Sequence, residues 1–63
     1  MMKLSVKEAC DLFIYNEFSR QQYMMFRQEV SSMIYLPHYN HVMREMQSRQ
    51  QIDVADYLQV ILH

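Results

Sequence analysis

The chain contains no glycine and no tryptophan, one proline and one cysteine. Type I′ and II′ hairpin turns and many loops rely on glycine, so its absence argues against a β-rich fold and for helices joined by short connections. The phosphate-cradling loops of nucleotide-binding motifs are excluded, because they need glycine for tight turns and close backbone approach. With Cys10 alone, neither a disulfide within the chain nor a zinc finger or ribbon can form. A solitary thiol fits a reducing compartment, and the expected location is cytoplasmic. Long apolar runs are also missing. The stretch from Leu12 to Tyr15 is only four residues, against the roughly 18–20 a helix needs to span a bilayer, so no membrane partner is expected. The opening Met1-Met2-Lys3-Leu4 leads at once to Lys7, Glu8 and Asp11, which is not a secretory signal pattern.

What is present is a 63-residue chain of net charge −1, with 51% hydrophobic and 21% charged residues. That length sets one helical domain, 1–63, as the expected organisation, and a core of that size is only marginally stabilising. So much apolar surface cannot all be hidden inside so small a globule. Part of it is expected to be covered by a second copy, giving a homodimer, or by a protein partner. Seven methionines stand out, because the flexible, polarizable thioether fills irregular gaps and suits adaptable contact surfaces. The net charge of −1 argues against strong nonspecific affinity for nucleic acid, which depends on many Lys and Arg contacts to phosphates.

The fold class expected is all-α, a small bundle of three to four short helices, with helices 1 and 2 forming an αα-hairpin. Ser5-Val6-Lys7-Glu8 reads as a capping box opening helix 1 at about 6–16, and Ser19-Arg20-Gln21-Gln22 repeats the device for helix 2 at about 20–35. Phe18 and Tyr23 are spaced for a hydrophobic staple across the second cap. On helix 1, Val6, Ala9, Cys10 and Phe13 share one face, while Lys7 and Asp11 stand at i,i+4 opposite it. On helix 2, Tyr23, Phe26, Val30, Met33 and Ile34 form the stripe, leaving Met24 and Met25 outside it. Pro37 ends helix 2 and is the expected first residue of helix 3 at about 38–50. Asp53 is expected to cap a fourth helix at about 54–62, with Ile52 and Tyr57 as its staple. The expected core is Val6, Ala9, Phe13, Tyr23, Phe26, Val30, Ile34, Val42, Met46, Leu58 and Ile61.

Chemistry is hard to find. Cys10 lies on the apolar stripe of helix 1, where a small buried hydrophobe is expected rather than a nucleophile. His38, His41 and Glu45 have the spacing of metal ligands on one helix face, but no further donor lies nearby to complete a set. Glu8 and Asp11 are absorbed by a cap and by pairing with Lys7, and no Ser-His-Asp spacing exists. No catalytic residue, cofactor or metal is expected, and the chain reads as a non-enzyme. The reading that remains is a small regulatory or inhibitory protein that binds a larger protein stoichiometrically. Its contact strip would be Arg20, Met24, Arg27, Gln28 and Ser31, since Met and Arg are enriched at interfaces. The alternative is a helix-turn-helix transcriptional regulator, in which Ser19, Arg20, Gln21 and Gln22 at the start of helix 2 would meet DNA.

Overall fold

The computed structural model describes the backbone of residues 1–62, and side chains for residues 1–50 together with Gln59 and Ile61. A two-residue strand, β1 (Met2–Lys3), precedes helix α1 (Val6–Tyr15), helix α2 (Arg20–Glu29), a second short strand, β2 (Ile34–Tyr35), and a long helix, α3 (Tyr39–Leu62). The molecule is mostly helical, and α1 and α2 form a hairpin-like pair.

Both expected capping boxes are present. The Ser5 hydroxyl accepts from the Glu8 amide at 3.1 Å while the Glu8 carboxylate accepts from the Ser5 amide at 2.9 Å. Ser19 and Gln22 do the same at 3.2 and 2.9 Å. Each pair satisfies amides that the helix itself leaves without acceptors. The staple across the second cap also forms, with the Phe18 and Tyr23 rings edge to face at 6.4 Å.

Between α1 and α2 the chain reverses without glycine. Asn16 caps α1, and Glu17 takes the left-handed conformation at φ 52°. The Phe18 amide donates to the Phe13 carbonyl and the Glu17 amide to that of Ile14, each at 3.1 Å. These two bonds make a Schellman motif, and the Phe13–Phe18 ring contact at 6.3 Å supplies its apolar clasp.

Three aromatic side chains from three helices meet at the centre. Phe13 lies 5.7 Å from Tyr23 and 6.0 Å from Tyr39, while Tyr23 and Tyr39 are 6.3 Å apart. Tyr23 is fully buried, and its hydroxyl donates to the Pro37 carbonyl at 2.6 Å, so the ring is buried without an orphaned polar group. Ala9, Cys10, Leu36 and Val42 complete the buried core. Ala9 and Cys10 are small, which lets α1 approach α3 closely. Of the expected core, Ala9, Tyr23 and Val42 are buried, and Phe13, Phe26, Val30, Ile34 and Met46 are partly buried against them. Val6 is half-buried. Ile61 is a correction, because it is 58% exposed. Leu58 lies outside the described side chains.

Several boundaries differ from expectation for identifiable reasons. Helix 2 stops at Glu29, capped by Val30, instead of running to 35. The Ser31 hydroxyl donates to the Gln28 carbonyl at 2.9 Å, competing with helix continuation. Ile34 and Tyr35 then pair in parallel with Met2 and Lys3, so a small two-stranded sheet interrupts the all-helical plan. Pro37 does not begin the next helix, which opens at Tyr39. His38 acts as the cap instead, its Nδ1 accepting from the Asn40 amide at 3.2 Å. The third and fourth expected helices are one, and Asp53 lies inside it rather than at a start. The polar stretch Gln47 to Gln51 contains neither glycine nor proline, so nothing in it stops helix propagation. Asp11 pairs with Arg49 at 2.9 Å, across to α3, and not with Lys7.

A candidate interaction groove

The turn after α2 brings β2 back alongside that helix, and a groove of about 410 Å³ lies between them. Met24, Arg27, Gln28 and Ser31 line one wall, and Ile34 and Tyr35 face them from the other. Four of the five residues expected to form a contact strip are thus gathered in one concavity. The fifth, Arg20, is placed elsewhere, its guanidinium 5.6 Å from the centre of the Tyr39 ring.

The second wall is not expected from the sequence, whose apolar spacing carries helix 2 through Ile34 and Tyr35. The available signal was Pro37, which biases Leu36 toward an extended backbone and makes a strand before it reasonable.

Arg27 holds the groove together. Its Nε donates to the Leu36 carbonyl at 3.0 Å, tying the last turn of α2 to the residue that follows β2. Outside the lining, the Lys3 ammonium sits 5.6 Å from the centre of the Tyr35 ring, a cation–π arrangement. Arg27 is the only charged side chain lining the groove among the described residues. Apolar contact area is available beside it, since Met25 is 54% exposed and Met33 63% exposed. A second, shallower hollow of about 300 Å³ flanks the other side of α2, between Phe18, Met25 and Phe26.

The other candidates are placed apart from this groove. His38 is engaged in capping α3, and Glu45 lies 3.8 Å from Arg49 on the same helix. Among the described residues no three His, Cys, Asp or Glu side chains are grouped to hold a metal ion. Cys10 is fully buried, and that burial pushes its thiol pKa up, which keeps it protonated and a poor nucleophile. At the start of α2, the side chains of Ser19 and Gln22 are occupied by the capping box and Arg20 by Tyr39. No helix among the described residues is long and apolar enough to cross a membrane. No protein-family model, no curated protein and no solved structure matches this chain.

Proposed function

We propose that this chain is a small non-enzymatic regulatory or inhibitory protein of the cytoplasm, acting by stoichiometric binding of a larger protein in the α2–β2 groove. The observation that carries this reading is the convergence of Met24, Arg27, Gln28 and Ser31 with Ile34 and Tyr35 around one concavity. Methionine walls adapt to different side-chain shapes, and a tyrosine and an arginine supply the residue types that most often anchor interfaces. An arginine in a lining it shares with methionine, isoleucine and tyrosine side chains favours an amphipathic segment that carries acidic residues, and helix-in-groove docking is the recognition mode that fits.

The test is affinity capture from native lysate after nuclease treatment, comparing the wild-type chain with Met24→Asp. Met24 is half-buried on the groove wall, so an aspartate there removes the apolar thioether and puts in the wall a carboxylate that repels an acidic ligand and competes with it for Arg27. The expected result is one stoichiometric protein held by the wild type and lost by a variant of unchanged helix content. Equal capture by both would remove the groove from the reading. Nucleic acid recovered without protein, and released at moderate salt, would favour the helix-turn-helix alternative.

A further inference from the structure

The long helix outruns the body that supports it. Arg49 of α3 reaches Asp11 Oδ1 at 2.9 Å and the Lys7 carbonyl at 3.4 Å, while Tyr39 at the other end meets Phe13 at 6.0 Å. The two helices therefore run antiparallel, and Arg49 lies level with the first turn of α1, which begins at Val6. Residues 50–62 continue beyond that point for about 20 Å at 1.5 Å per residue. The dimensions agree, with principal extents of 51 × 20 × 17 Å.

A helix of that length is marginal in water unless one of its faces is packed. In sequence, Val54, Tyr57, Leu58 and Ile61 recur at the spacing of one helix face. That face is rotated by roughly 60° from the Tyr39, Val42, Met43, Met46 face that meets the body, at 3.6 residues per turn. Of that face, Ile61 is the residue whose side chain is described, and it is exposed. The segment also differs in charge. From residue 51 onward it holds Asp53 and Asp56 and no Lys or Arg. An acidic, apolar-faced helix is the ligand chemistry that the α2–β2 groove favours on the reading above, with Arg27 in its wall beside Met24 and Met25.

We propose that the C-terminal half of α3, residues 51–62, docks in the α2–β2 groove of a second copy of this chain, each protomer giving one helix and receiving one. This rests on the groove reading above and names a partner for it. Reciprocal exchange closes the assembly at two chains, so the contact does not propagate into a filament. It also makes the groove self-occupied until a competing acidic helix displaces the partner protomer.

Sedimentation velocity on the full chain tests this over a roughly hundredfold range in concentration. The wild type is expected to pass from monomer to dimer. Met24→Asp in the groove and Leu58→Asp in the helix are each expected to remain monomeric, with circular dichroism confirming unchanged helix content. An equimolar mixture of the two variants is then expected to regain a dimer fraction, weaker than wild type. In that mixture, one intact groove still meets one intact helix. A wild type that stays monomeric at every concentration would overturn the proposal. So would a dimer abolished by Leu58→Asp but indifferent to Met24→Asp, which would mean that the helices pair with each other. Neither result touches the capture experiment, in which loss of an unrelated protein by Met24→Asp would still uphold the groove.

Discussion

Among the described residues, Glu17 alone has a left-handed backbone without being glycine. A Cβ in that region costs roughly 1–2 kcal/mol, because it crowds the following carbonyl oxygen. The Schellman bonds and the Phe13–Phe18 contact hold the residue there nonetheless. Glu17→Gly is expected to raise stability by about 1 kcal/mol, measurable as a higher urea midpoint with unchanged slope. No gain would mean that the added freedom of glycine in the unfolded chain offsets the relief of crowding. A second effect at this scale separates the two capping boxes. The Ser5 backbone and side-chain hydrogen bonds hold the Glu8 carboxyl below its ordinary value of 4.5. A carboxylate with a depressed pKa contributes stability that is present above its unfolded value and lost as pH falls through the folded one. Gln22, which plays the same part for α2, does not titrate. Acidification from neutral pH is therefore expected to loosen the Ser5 amide and leave the Ser19 amide unchanged. Amide proton shifts followed by NMR would show it, and parallel movement of both amides would contradict the assignment.

At the scale of elements, the α3 backbone makes a clear prediction about Asp53. An N-cap aspartate replaced by alanine costs about 0.5–2 kcal/mol. Within the continuous helix Tyr39–Leu62, the same change replaces a poor helix former by the best one. Asp53→Ala is thus expected to leave far-UV circular dichroism unchanged or slightly more helical. A loss of helicity would restore a break between two helices. The same element shows why capping patterns need context. Ser5 and Ser19 follow segments that cannot be helical, β1 in one case and the Schellman turn in the other. Asp53 follows Gln47 to Gln51, through which a helix already under way simply continues.

For the whole molecule, the consequence of 63 residues is a core that opens as a unit. Cys10 reports on it, since the thiol is fully buried between α1 and α3 and burial raises its pKa. A thiol reagent at neutral pH is expected to label Cys10 only through global opening. Its labelling rate should then rise with urea in parallel with the unfolding transition, as read by mass spectrometry. Fast labelling in the absence of urea would indicate that α1 separates from α3 locally. The ion pair between Arg49 and Asp11 does not lock this contact, because Asp11 is 70% exposed and surface pairs of that kind contribute little. The Phe13, Tyr23 and Tyr39 rings and the close approach at Ala9 and Cys10 carry the joint between the helices.

The amino-acid sequence by itself determined the helical class, the starts of α1 and α2, and most of the aromatic and aliphatic core. These depend on signals a few residues apart, such as a serine with its Glu or Gln three positions on, and apolar residues at helical spacing. It also singled out Met24, Arg27, Gln28 and Ser31, because an i, i+3, i+4 pattern places them on one side of a helix. What only the tertiary structure decided depends on distant pairing. Met2 and Lys3 draw Ile34 and Tyr35 out of helical continuation and into a strand. That strand turns a convex helix face into a groove, and the reach of Arg27 to the Leu36 carbonyl braces it. Helical periodicity in the stretch 30–35 fits a helix and a turn-plus-strand equally well. The choice between them rests on a backbone partner more than thirty residues away, which no local pattern records.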